Sequence, residues 1–137
     1  MNDPQTGCSS PLSQMPDRLH AVGPGWHALL LRLHEQLLIL EPGYRVDDLK
    51  EKFGTVRVYL ASDSVSSRLD TQVLLAAAEA QSATTCEFCG TPGRRRGRGD
   101  KPGGWIKTVC DSCHTAWSRR TIMIIHGVVH RREPGLA

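Results

Sequence analysis

Cys86-Glu87-Phe88-Cys89-Gly90 and Cys110-Asp111-Ser112-Cys113 decide how this chain folds. Each Cys-x2-Cys can wrap into a tight knuckle that sets two thiolates on one edge of a metal ion, and two knuckles complete a tetrahedron. The 20 residues between Cys89 and Cys110 match zinc-ribbon spacing. Gly90 follows the first pair, where the backbone benefits from a residue free to adopt positive φ. Four soft thiolates select Zn2+, and a four-cysteine shell leaves no position open to water, so Cys86, Cys89, Cys110 and Cys113 are expected to hold one structural zinc ion. A redox dithiol accounts for one pair and leaves the other idle. Cys110-Asp-Ser-Cys113-His114 also matches the C-x-x-C-H haem-attachment pattern, but that reading strands Cys86 and Cys89. His114 is expected to be exposed or capping, and the fifth cysteine, Cys8, stands alone in a polar leader.

Upstream of the knuckles the patterning is that of a small α+β body, a helix, a β-hairpin and a second helix, carrying a zinc-ribbon-like four-cysteine module. Trp26, Leu29, Leu30, Leu33, Leu37 and Leu40 fall on one stripe at 100° per residue, and Glu41-Pro42-Gly43 ends that helix. Tyr44 to Lys50 alternates weakly, and Thr55-Val56-Arg57-Val58-Tyr59-Leu60 is a strand by β-propensity, so Lys52-Phe53-Gly54 reads as the turn of an antiparallel hairpin. Phe53 is expected to pack into the core. Ser67-Arg68-Leu69-Asp70 opens a second helix running to about Ser82, with Leu69, Val73, Ala76 and Ala80 on its apolar face. The expected division is a disordered leader over 1–25, the α-β-β-α body over 26–83, the zinc module over 84–120, and an apolar β-prone run with a basic tail over 121–137. His114 to Arg120 suits a short helix.

Charge is unevenly placed. Residues 1–85 carry seven Lys/Arg against ten Asp/Glu; residues 86–137 carry ten against four. A basic C-terminal portion on a mildly acidic body points to an anionic partner. The loop Arg94-Arg95-Arg96-Gly97-Arg98-Gly99-Asp100-Lys101, tethered at both ends by the metal, is a candidate flexible phosphate clamp. Trp105 lies close by for base stacking, and Lys107, Arg119 and Arg120 complete the candidate nucleic-acid surface. A protein-docking role for the same module and the hairpin is the alternative. The pairs His27/His34 and His126/His130 lack a third ligand and read as structural or solvent-facing. No P-loop, dinucleotide fingerprint, nucleophile elbow or HExxH motif is present, so an enzyme is not expected. The longest apolar run, Val73 to Ala78, has six residues against roughly 20 for a membrane span. No basic region leads into an apolar stretch near Met1, and a cytoplasmic location is therefore expected.

Several landmarks together carry a resemblance: Gly25-Trp26 at the first helix, Lys50-Glu51-Lys52-Phe53-Gly54-Thr55-Val56-Arg57 in the hairpin, Cys86-Glu-Phe-Cys89-Gly90-Thr91-Pro92-Gly93, and Trp105-Ile-Lys-Thr-Val-Cys110-Asp-Ser-Cys113. Over residues 25–113 the chain resembles a family of small bacterial and phage proteins with a KEKFGxLR-type segment before a paired-knuckle zinc module. Thr55-Val56 stands where that family has Gly-Leu, and the Arg-rich insertion is longer than usual. The resemblance implies zinc and the fold, and implies no activity.

Overall fold

The computed structural model describes residues 14–61 and 68–133. Three helices and three two-stranded antiparallel ribbons follow one another along the chain: α1 (His27–Leu40), β1 (Val46–Lys52), β2 (Thr55–Leu60), α2 (Leu69–Ser82), β3 (Arg94–Gly97), β4 (Ile106–Val109), α3 (Asp111–Ser118), β5 (Ile122–Ile125) and β6 (Val128–Arg131).

Helix α1 buries most of the expected stripe, with Leu29, Leu30, Leu33 and Leu37 in the core beside Trp26, while Leu40 at its end is half-buried. Against it packs the β1–β2 hairpin. The weak alternation of β1 has a structural cause: the register slips between Val46 and Asp48, so Val46 and Leu49 both reach the core although they are three residues apart. Phe53 and Gly54 turn the hairpin with φ of 54° and 85°, the positive values a two-residue type I′ turn requires.

Three expectations for this body are corrected. Residues 14–25, assigned to a disordered leader, form three 3-10 turns that close one end of the core; residues 1–13 lie outside the described residues. Met15 and Val22 are buried, Met15 N–H donates to the Tyr44 hydroxyl (3.0 Å), and Gln14 Nε2 donates to the carbonyls of Pro42 and Tyr44 (both 2.9 Å). Prolines and glycines concealed this segment because its contacts are long-range and have no local period. The apolar face chosen for α2 is also reversed. Leu69 and Val73 are 76% and 59% exposed, while Thr71, Ala78 and Ser82 are buried. Small residues allow α2 to approach the hairpin closely, and Ser82 Oγ accepts from the Val56 N–H (2.9 Å), a donor pointing away from β1. Leu69 and Val73 instead line an open apolar groove with Ile39 and Leu40 of α1. Finally, the Phe53 side chain is not in the core but 58% exposed.

The C-terminal run expected as one β-prone segment is two strands. His126 and Gly127 (φ 53° and 81°) form a second positive-φ turn between Ile125 and Val128, and Ile122 enters a second core cluster with Cys86, Phe88, Val109, Cys113 and Trp117.

Body and four-cysteine module are joined at the first knuckle and at β4. Gly25 N–H donates to the Glu87 carbonyl (2.8 Å), Trp26 Nε1 donates to the Thr85 carbonyl (2.8 Å), and Thr108 Oγ1 donates to the Gly54 carbonyl (2.6 Å). Contact at Gly25 is so close that an added Cβ would stand 2.0 Å from the Cys86 carbonyl oxygen and 2.6 Å from the Gly90 nitrogen, both backbone atoms. Gly25→Ala is therefore expected to destabilise the protein by about 3 kcal/mol or more, read by urea denaturation. Gly43→Ala, whose Cβ meets only the Glu41 carboxylate at 3.3 Å, should stay within about 1 kcal/mol of the parent. Equal effects of the two substitutions would contradict this packing.

Candidate metal centre

The local chain explains how four cysteines converge. In the first knuckle Gly90 N–H donates to the Cys86 carbonyl (2.9 Å) and Cys86 N–H donates to the Thr91 carbonyl (2.7 Å), with Gly90 at φ 83° as the turn demands. In the second, Cys110 is the N-cap of α3: its Sγ accepts from the Cys113 N–H (3.4 Å), and its carbonyl accepts from the His114 N–H (2.8 Å). The first helical turn thus brings Cys113 back beside Cys110.

The sulfurs of Cys86, Cys89, Cys110 and Cys113 all lie within 4.8 Å of one another, and Cys89 and Cys110 Sγ are 3.7 Å apart. A zinc–sulfur bond of about 2.3 Å implies a tetrahedral edge of about 3.8 Å, so the group fits a metal ion of that size and donor preference. Among the described residues these four are brought together as a group that could hold a metal ion, as the spacing predicts. Cys86 and Cys113 are buried, Cys89 is exposed, and hydroxyls of Thr91 (3.0 Å from Cys89 Sγ) and Ser112 (3.5 Å from Cys110 Sγ) face the outer sulfurs. Such hydroxyls offset the negative charge that four thiolates leave around a divalent ion.

The bare thiols are unequal. Burial pushes the Cys86 thiol up, and burial with the neighbouring Cys86 pushes Cys113 up further. Cys110 runs the other way. Against the cost of desolvation, hydrogen bonds from Ser112, the Cys113 N–H and Thr91 hold it down to about 6. Metal uptake near pH 7 therefore releases protons from Cys86 and Cys113, and affinity rises with pH.

His114 corrects its expectation: it is buried, and its Nε2 reaches the Gly97 carbonyl (3.1 Å) and Asp100 Oδ1 (3.3 Å), tying α3 to the end of β3. Two of the other histidines serve the scaffold. His27 Nε2 bonds the Val22 carbonyl (3.0 Å), and His34 Nδ1 bonds the Tyr44 hydroxyl (2.5 Å). His126 stacks on His20 with ring centroids 4.5 Å apart, while His130 stands on β6, so the two share no helix face.

The nine candidate nucleic-acid residues divide. The Arg-rich stretch is not a flexible loop but strand β3, paired with β4 in the register Arg94–Val109 to Gly97–Ile106 and continued by a 3-10 turn over Arg98–Asp100. Three of the cations are engaged inside the fold. Arg96 Nη1 donates to Asp111 (2.8 Å), and Arg98 lies 5.0 Å over the Trp117 ring. Lys107, 13% exposed, pairs with Glu87 (2.8 Å) and stands 3.9 Å from Glu51. The remainder are at the surface: Arg94, Arg95, Lys101, Arg119 and Arg120 are exposed, and Trp105 is 65% exposed.

The sequence reading missed Glu87. This carboxylate, 2% exposed within the first knuckle, accepts from the Gly23 N–H (3.0 Å) while holding Lys107. No local signal marks it, since the donors lie 64 residues before it and 20 after it.

No family model, curated protein or solved structure matches the chain, so the reading of the site rests on its own geometry. No helix among the described residues is long and apolar enough to cross a membrane.

Proposed function

We propose that this is a non-enzymatic protein in which one structural Zn2+ holds up a basic hairpin that binds the phosphate backbone of nucleic acid. The observation that carries the reading is the clustering of unneutralised cations around β3–β4. Arg94, Arg95 and Lys101 line one cleft on the hairpin, which holds Asp100 as its one carboxylate. Arg94, Lys101, Arg119 and Arg120 have no ion pair among the described residues. Burial first, and then the charge of Arg120, disfavours the protonated Arg98 guanidinium, whose Nε has no hydrogen-bond partner. Like charges held together in this way are relieved by an anion. A four-thiolate shell supplies no open coordination position, which supports scaffolding over catalysis by the metal.

Binding of this kind is salt-steep. With three to five phosphates neutralised, the log–log slope of affinity against salt is expected to be about −2 to −3.5 on single strands. The triple substitution Arg94→Ser, Lys101→Ser, Arg119→Ser spares the cations used in folding and should make the slope less negative by about 2. Fluorescence anisotropy with labelled DNA and RNA at several salt concentrations measures both. Folded, metal-loaded protein that binds neither at low salt would overturn the reading.

A further inference from the structure

Phe53 and Trp105 come from segments 52 residues apart in sequence yet line one cleft, together with Glu51, Lys52, Gly104 and Ile106. They are two of the three exposed Phe, Tyr or Trp side chains among the described residues. A large ring normally leaves water, so two held out on neighbouring turns call for a reason. The turns are pinned where they are: Arg95 Nε donates to the Phe53 carbonyl (2.9 Å), and Thr108 Oγ1 to the Gly54 carbonyl. The Phe53 backbone is thus docked on the zinc module while its ring is left free. The cleft measures about 250 Å³, below the 300–1,000 Å³ of pockets that enclose a whole small molecule, and it is open at the surface. Two ammonium groups stand near the rings, one of them, Lys107, already paired with Glu87. Lys52 Nζ lies 5.7 Å from the Phe53 ring centre and Lys107 Nζ 5.9 Å from that of Trp105. The carboxylate in the cleft, Glu51, is already committed to the Gly54 N–H (2.9 Å) and the neighbouring Lys107.

Flat apolar faces flanked by cations, beside a basic hairpin, are the features that bind unstacked bases. Resting on the nucleic-acid reading above, we infer that the Phe53–Trp105 cleft takes bases of single-stranded nucleic acid, and that the protein prefers single strands to duplex. The bases of a duplex are stacked on one another and offer no free face, whereas the phosphates of either form can meet the basic hairpin.

The test uses the full metal-loaded chain with labelled oligothymidine and oligouridine of about 12 nucleotides, and a duplex of the same length. Trp26 and Trp117 are buried, so quenching of tryptophan fluorescence on binding reports Trp105. Trp105→Ala and Phe53→Asn remove the rings one at a time. Asn is chosen because Phe53 sits at positive φ, and Asn-Gly is the pair best suited to that turn, so the melting temperature of Phe53→Asn should not fall. Expected are tighter binding of single strands than duplex, Trp105 quenching by single strands, and about 5- to 100-fold weaker single-strand binding in each variant with duplex binding unchanged. Equal binding of both forms, without quenching and without an effect of either variant, would overturn the inference and leave the phosphate-binding reading standing. No binding to any probe would overturn both.

Discussion

Removing the metal is expected to unfold residues 84–131 while the helix–hairpin–helix body keeps its core. The second core cluster is small, and two of its six buried members, Cys86 and Cys113, belong to the metal group. The strands beside it are four residues long and paired only two by two. Isolated two-stranded ribbons are marginal in water, so this half of the molecule has little to hold it without the ion. A structural zinc contributes about 10–16 kcal/mol of apparent binding energy, against a total stability of about 5–15 kcal/mol for an ordinary domain. Hydrogen exchange with and without a strong chelator, under reducing conditions, resolves the two halves. Amides of Val109, Cys113 and Trp117 should lose protection, while those of Leu33, Leu37 and Leu30 retain most of theirs. Cys86→Ser should reproduce the chelated state. Protection at Val109 and Trp117 that survives complete metal removal would show that the hydrophobic cluster suffices.

Glu87→Ala should be strongly destabilising, at about 3–5 kcal/mol. It strips the half-buried Lys107 of its nearest counter-ion and leaves the buried Gly23 N–H without its acceptor. Glu51 at 3.9 Å from Lys107 remains as partial compensation, which favours the lower end of that range. Glu87→Gln keeps the shape and one acceptor oxygen for the Gly23 N–H but turns its amide NH2 toward Lys107, so it should restore only part of what Glu87→Ala loses. Adding Lys107→Met to Glu87→Ala should recover part of the loss, because the uncompensated cation is then gone. A urea-denaturation cycle over the four proteins measures this. A loss below about 1 kcal/mol for Glu87→Ala alone would mean that water or Glu51 already satisfies Lys107.

Local signals in the sequence were sufficient wherever one residue type at one spacing carries the constraint. The paired cysteines, the Leu stripe of α1 and the strand Thr55–Leu60 are of this kind, and each stands in the structure as its pattern implies. Failures fall where a pattern admits two readings. In α2 the apolar residues Leu69, Val73, Ala76 and Ala80 share a face, but the helix presents its smaller and more polar residues inward, because close approach to the hairpin and the Val56 N–H favour Ala78 and Ser82 there. The run Ile122–Val129 hid a turn, since His126-Gly127 lacks the polar flanks that usually mark one.

The sequence by itself determined the metal group, the helix–hairpin–helix order and the basic character of the C-terminal portion, because each depends on neighbours in the chain. Only the tertiary structure decided which cations are free. Arg96, Arg98 and Lys107 read like their neighbours in the sequence, yet Asp111, Trp117 and Glu87 occupy them, and those partners are 15, 19 and 20 residues away. It likewise decided that Phe53 leaves the core to share a cleft with Trp105. The outcome turns on which long-range partner packs against a side chain, and the energy of an ion pair or an aromatic contact depends on distance and burial, neither of which is written in local order.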